Sequence, residues 1–229
     1  MLIICTWLWG TKYVRQDVDF LHAGLRRNIE QPFRFLCMTE PGLFCNYSAE
    51  IERWPIEDMW LVDKSPGCLS RMRMFDPVWQ AQIGAVEGDK IVSLDLDCVV
   101  VNELDPVFDR PEPFVILQGA NFSNPCPYNG SLWMLSPGAH SEVWTEFSWD
   151  AVVASTTYAF PNDQAWIHHK VPDAAGWQAG TEGVYAFKKP GWPGGDGLPQ
   201  DARLVVFPGW RSPQKFRETV PWIKQHWAA

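Results

Sequence analysis

Positive charge is scarce in this sequence. Its 27 acidic residues outnumber 19 lysines and arginines, for a net charge of −8. That balance argues against nucleic acid or an anionic membrane surface as the main partner. No C-x-x-C pair occurs. The six cysteines (Cys5, Cys37, Cys45, Cys68, Cys98 and Cys126) are scattered without zinc-site spacing, and reduced thiols in a cytosolic protein are the expected state. No apolar stretch approaches the length of a membrane helix. Met1 to Trp9 is apolar, but no basic region precedes it and Gly10-Thr11-Lys12 interrupts it too early for a signal peptide. Without secretion the sequons at Asn46, Asn121 and Asn129 carry no weight. A P-loop is also missing, because Gly191 to Gly197, GWPGGDG, lacks the Lys-Ser/Thr and the following helix. Internal repeats and low-complexity tracts are absent.

At 229 residues and 46% apolar content, the chain suits one large α/β domain with a sizeable core. Fourteen tryptophans are many. Some belong to the core, and others are compatible with stacking on sugar rings. Leu2 to Trp7 reads as a first strand and Asp17 to Asn28, with Val18, Leu21 and Leu25 at helical spacing, as a helix. Phe33 to Thr39 reads as a second strand. A strand, helix and strand within forty residues open a right-handed parallel sheet, whose ligands bind at the carboxyl ends of the strands. Residues 40 to 67 read as an irregular excursion, rich in Pro, Gly and acid. Cys68 to Phe75 reads as a helix stopped before Pro77, on which Arg71 and Arg73 lie about 200° apart. Phe114 to Leu117, Leu132 to Leu135 and Ala202 to Phe207 read as further strands, and His140 to Phe147 as an amphipathic helix.

The chain is organised around residues 91 to 109, IVSLDLDCVVVNELDPVFD. Two short apolar runs, Ile91 to Leu94 and Val99 to Val101, flank Asp95-Leu96-Asp97. Apolar runs of this kind are buried strands of a mostly parallel sheet. Side chains alternate across a strand, so Asp95 and Asp97, at the end of the first run, are expected to point the same way. Two carboxylates at such a place make half of a site for Mg²⁺ or Mn²⁺, with open positions for phosphate oxygens. Two aspartates capping the next turn are the structural alternative.

At these residues a family resemblance sets in. LDLDCVVVNELDPVF resembles the DxD segment of nucleotide-sugar glycosyltransferases of the GT-A fold, and is most similar to the glycogenin-like and lipopolysaccharide-galactosyltransferase-like (family 8-like) group. Tyr128-Asn129-Gly130-Ser131 resembles the group's FNxGxxLI segment, Asp163-Gln164 its D-Q pair before a short helix, and Phe207, Gly209 and Pro213 its closing segment. The resemblance covers most of the chain, in the right order. It implies a single GT-A-like (Rossmann-like) domain over residues 1–229, with a mostly parallel central sheet flanked by helices.

The implied activity is metal-dependent transfer of a hexose from a nucleotide diphosphate donor, a UDP-sugar, to a glycan acceptor, with retention of configuration. Asp95 and Asp97 are the implied ligands of Mn²⁺ or Mg²⁺. Gly10, Thr11, Lys12 and Tyr13 fall near the base and diphosphate. Arg71 matches the family's donor-contacting position, with a solvated surface arginine as the other reading. Asn129, Gly130 and Asp163 fall at the donor sugar, Gln164 at its reacting face, and Gly209 and Arg211 at the leaving diphosphate. Gly191 to Gly197 becomes a candidate lid. One departure matters: the metal-ligating histidine expected beside Phe207 is replaced by Val206 and Pro208. His168 and His169 are candidates to substitute for it, with a pair on an exposed helix end as the commoner reading. Two other classes therefore stay open: a metal-dependent nucleotidyltransferase or phosphohydrolase, and an inactive module that binds nucleotide sugars.

Overall fold

Leu2–Leu8 is buried along its whole length because it runs through the middle of a sheet covered on both faces. A computed structural model describes residues 1–40, 48–64, 69–120, 125–155, 158 and 161–229. The first half of the chain contributes β1 (Leu2–Leu8), α1 (Arg15–Asn28), β2 (Phe33–Thr39), β3 (Ile51–Pro55), α2 (Met59–Lys64), a 3-10 helix (Leu69–Phe75), α3 (Pro77–Gln82), β4 (Lys90–Leu94), β5 (Cys98–Val100) and α4 (Asp105–Phe108). The second half adds β6 (Phe114–Gln118), β7 (Tyr128–Leu135), α5 (Glu142–Thr145), α6 (Trp149–Ser155), α7 (Asp163–Lys170), β8 (Ala175–Gln178), β9 (Val184–Ala186), β10 (Leu204–Val206), α8 (Pro213–Phe216) and α9 (Pro221–His226).

Seven strands form the main sheet in the order β3-β2-β1-β4-β7-β6-β8. All pairs are parallel except those of β7, which runs against both β4 and β6. The period of two along β1 divides its side chains between two cores. Leu2, Ile4 and Leu8 pack with α1 on one face, and Ile3, Cys5 and Trp7 pack beneath the 3-10 helix and α3 on the other. A second sheet, β5-β10-β9, carries a third cluster in which Phe187, Phe207, Trp222 and Trp227 are buried. Many of the tryptophans thus fill cores, while Trp60 and Trp210 stay exposed. Cys5, Cys37, Cys98 and Cys126 are buried free thiols. Cys45 and Cys68, with the sequon asparagines Asn46 and Asn121, lie outside the described residues.

Several sequence expectations need correction. Residues 40 to 67 contain β3 and α2. Ile51–Pro55 sets the charged residues Glu52 and Arg53 between Ile51 and Trp54, as a strand paired on one side tolerates, so it lacked a continuous apolar run. The helix expected up to Phe75 is a 3-10 helix, and its expected first residue, Cys68, lies outside the described residues. The helix expected over His140 to Phe147 is a single turn, Glu142–Thr145. The strand expected over Leu132 to Leu135 starts earlier, at Tyr128, and includes Asn129 and Gly130. The candidate lid, Gly191 to Gly197, is exposed except at half-buried Trp192, its one side chain packed against the third core. Trp192 lies against Trp222, and the Trp222 indole donates to the Asp196 carbonyl at 2.8 Å.

Candidate active site

The carboxyl ends of β1 and β4 lie side by side, where the chain order of the sheet reverses, and there an open α/β sheet forms its crevice. Antiparallel β7 brings its first residues, not its last, to this edge. The pairing of β7 with β6 jumps from Ile116↔Trp133 to Leu117↔Asn129, so Gly130, Ser131 and Leu132 are skipped in that ladder. Asp95 N donates to Ser131 O at 3.1 Å, which sets the β4 exit against the bulge.

Asp95 and Asp97 are not on a strand. β4 stops at Leu94, the triplet forms a turn closed by Cys98 N donating to Asp95 O at 3.2 Å, and β5 then departs into the second sheet. Alternation therefore does not orient them; the turn does. Both border the same crevice but differ in setting. Asp95 is 30% exposed and Asp97 only 6%.

Arg71 is the hub. In a 3-10 helix residues two apart are separated by about 240°, so Arg71 faces the crevice while Arg73 faces away to Asp58 and Asp76. The Arg71 guanidinium is buried and donates from Nη1 to Asp95 Oδ1 at 2.6 Å and to Gly130 O at 2.7 Å. From Nη2 it donates to Asp163 Oδ2 at 2.5 Å. A carboxylate as enclosed as Asp163 requires such a partner, since an unpaired buried charge costs several kcal/mol. Gly130 is needed for the approach: a Cβ there would sit 2.7 Å from Asp163 Oδ2 and 3.0 Å from Arg71 Nη2. Asn162 caps α7 by accepting from Ala165 N at 2.9 Å, which leaves Asp163 and Gln164 in the first turn facing the crevice. Gly130 N lies 3.4 Å from Gln164 Oε1.

On the other side, the Tyr13 hydroxyl donates to Asp97 Oδ2 and Lys12 Nζ lies 3.6 Å from the same oxygen. Asp97 Oδ1 is enclosed and has no hydrogen-bond partner. Burial, then the charge of Asp95, pushes the Asp97 carboxyl up from its ordinary 3.8 to about 7, against the pull of Lys12 and Tyr13. Burial and the Asp97 charge likewise raise the Tyr13 hydroxyl, which keeps it a donor.

Two adjoining clefts share Lys12, Asp95 and Asp97. The first is walled by Trp7, Trp9 and Tyr13. The second is lined by Arg71, Asn129, Gly130, Ser131, Asp163, Gln164, Phe207, Pro208 and Gly209. Of the expected site residues, Gly10 and Thr11 are exposed outside both clefts, with Gly10 N held by Glu40 at 2.8 Å. Arg211 also lines neither; its guanidinium lies over the Trp210 ring at 5.1 Å. His168 and His169 sit in the last turn of α7, against Tyr128 and Trp166, and line neither cleft. Trp7, Trp9 and Ser131 were missed from sequence. An aromatic just past the first parallel strand was the available signal for Trp9.

No family model and no curated protein matches this sequence. Solved structures do match its fold. The galactosyltransferase LgtC, solved in complex with donor and acceptor sugar analogs, aligns with a TM-score of 0.60 at 10% identity, over 98% of this chain and 96% of LgtC. An active-site mutant of LgtC aligns with a TM-score of 0.62 at 9% identity, over 97% and 93% of the two chains. At such identity the likeness is one of architecture. The chain has, almost end to end, the single-domain α/β GT-A fold of these galactosyltransferase structures.

Proposed function

We propose that this protein transfers a hexose from a nucleoside diphosphate donor, a UDP-sugar, to a hydroxyl of a carbohydrate acceptor, with retention at the anomeric carbon. The observation that carries the reading is the chain Asp95–Arg71–Asp163, set beside Asp97 and Lys12 at the strand ends of a fold shared with a galactosyltransferase. The aromatic cleft of Trp7, Trp9 and Tyr13 suits a flat base. The polar cleft offers Asn129, Asp163 and the Gln164 amide to sugar hydroxyls, and Lys12 stands where the two meet.

A divalent cation fits this donor set. Asp95 and Asp97 border one crevice, and the Asp97 carboxyl is pushed up by burial and by Asp95, a cost that a cation bound between the two relieves. Asp95 and Asp97 would hold Mn²⁺ or Mg²⁺. Among the described residues no group of three His, Cys, Asp or Glu side chains converges to hold an ion, so the remaining positions fall to donor phosphate and water. When bound, the ion supplies positive charge against the leaving diphosphate.

The side chains do the rest by placement. Arg71 cannot follow a ligand outward, being fixed by three acceptors. It holds Asp163 rigid beside the sugar hydroxyls and Asp95 rigid for the ion. Gln164 has no useful basicity near neutral pH and serves to support positive charge developing at the anomeric carbon. Asp163 Oδ2 is tied to Arg71 and Oδ1 to the Gln164 amide N–H at 2.8 Å, an arrangement that suits a positioning group better than a base. The leaving phosphate oxygen then accepts the acceptor's proton on the face of departure, which gives retention.

Proton NMR of the first product formed from an α-linked UDP-hexose tests this. An α product supports it, and a β product overturns retention and makes Asp163 the base. Turnover of nucleoside triphosphate without sugar transfer would replace the reading with a nucleotidyltransferase or phosphohydrolase. The absent third ligand favours one further reading, a module that binds nucleotide sugar without consuming it. Tight donor binding with no product would establish that.

A further inference from the structure

We infer that Lys12 is the resident counter-ion of Asp97, holding the divalent cation's place in the donor-free protein and passing to the donor's phosphate when ion and donor bind together. The inference rests on the transferase reading above for its ligands, but its evidence is the asymmetry between the two cations of the site.

Arg71 is 4% exposed and locked between Asp95, Asp163 and the Gly130 carbonyl. Lys12 is its opposite. Its side chain is 58% exposed and reaches inward to a carboxylate that is 6% exposed, with Nζ 3.6 Å from Oδ2. No other cation pairs with Asp97 among the described residues. The Tyr13 hydroxyl already donates to that oxygen, while Oδ1 is enclosed in the protein. A metal ion therefore meets Asp97 through an oxygen that Lys12 holds. Two cations on one carboxylate oxygen repel each other, so one must leave, and only the lysine has the freedom to do so. In its place beside Asp97, Nζ also lies 4.5 Å from the Tyr13 ring centroid, and the exposed side chain borders both clefts, so either cleft is open to it. A diphosphate spanning the clefts would accept the displaced ammonium.

Two consequences follow. The ion alone binds weakly, because it competes with an intramolecular ammonium. Diphosphate removes the competitor, so ion and nucleotide strengthen each other's binding by the same factor.

The test is Mn²⁺ titration of the full chain, followed by the electron paramagnetic resonance of free Mn²⁺, with and without UDP. Lys12→Met keeps the stem and removes the charge, and Lys12→Arg restores the charge. We expect Lys12→Met to bind Mn²⁺ alone about tenfold more tightly than wild type, the order expected for removal of one competing charge. UDP should then tighten Mn²⁺ binding less in Lys12→Met than in wild type, and Lys12→Arg should return both values toward wild type. Equal Mn²⁺ affinity and equal UDP coupling in all three proteins would overturn the role of Lys12 while leaving the metal site in place. Absence of Mn²⁺ binding in every protein, even with UDP, would overturn the metal reading itself and this inference with it.

Discussion

Replacing Asp97 by Asn should make the ligand-free protein more stable at pH 8 while abolishing its response to Mn²⁺. In the folded state burial and Asp95 raise this carboxyl from 3.8 to about 7, so the folded protein holds a proton that the unfolded chain has released. Between about pH 4 and pH 7 the folded state binds more protons, and wild-type stability falls as pH rises through that interval; above about pH 7 the full cost is present. Some three pH units at about 1.4 kcal/mol each set a ceiling near 4 kcal/mol. The amide removes that cost. Against it, the new N–H₂ takes up one oxygen's place; at enclosed Oδ1 it finds no acceptor, which costs about 1–2 kcal/mol. The pull of Lys12 is already contained in the shift. The balance is a gain of about 2–3 kcal/mol at pH 8, or a melting temperature higher by roughly 4–12 °C for a chain of this length. Circular dichroism melts of both proteins with a chelator, from pH 4 to pH 8, measure it. The gain should grow from pH 4 to pH 7 and then level off. A variant that melts at or below wild type at pH 8, or a difference independent of pH, would refute the electrostatic description of Asp97.

Three further perturbations probe the rest of the site. Gly130→Ala forces a methyl to within 2.7 Å of Asp163 Oδ2 and should part the Arg71–Asp163 pair, lowering stability by about 1–3 kcal/mol in denaturant melts and weakening donor binding; unchanged donor affinity would contradict this. Arg71→Met strands buried Asp163 and should cost about 3–5 kcal/mol, whereas a loss under about 1 kcal/mol would show the pair to be energetically idle. Gln164→Ala should lower kcat markedly with donor affinity nearly unchanged, the pattern of an interaction made mainly in the transition state; a matching loss of affinity would assign Gln164 to ground-state binding.

The parts of the fold that declare themselves locally could be read from sequence. β1, α1 and β2 combine apolar runs with a helical stripe, and β4 and β6 are short apolar strands. β3 escaped because a strand paired on one side tolerates charged residues, and Ile51–Pro55 sets Glu52 and Arg53 between Ile51 and Trp54. β8 and β9, of four and three residues, are too short to show a period. In the site, residue identity was more legible than geometry. Asp95 and Asp97 were singled out as strand residues and are delivered by a turn. The Arg71–Asp163 pair joins residues 92 positions apart, a contact that no local pattern announces. Trp7 was hidden because it sits in the apolar run of β1, where it reads as core. The clearance role of Gly130 could not be read at all, since it depends on which two side chains meet behind it.

The central claim, that the paired clefts bind a nucleoside diphosphate sugar, is tested most directly by thermal melts of wild type and Asp97→Asn against a panel of nucleotide sugars and nucleoside triphosphates, each with and without Mn²⁺. A ligand at about 100 times its Kd stabilises the folded state by about 2.7 kcal/mol, a rise of roughly 5–11 °C here. The account predicts that rise for a UDP-sugar with wild type in Mn²⁺, much less without the ion, and none with Asp97→Asn. A panel in which no nucleotide sugar shifts the melt, or in which only a triphosphate does, would contradict it.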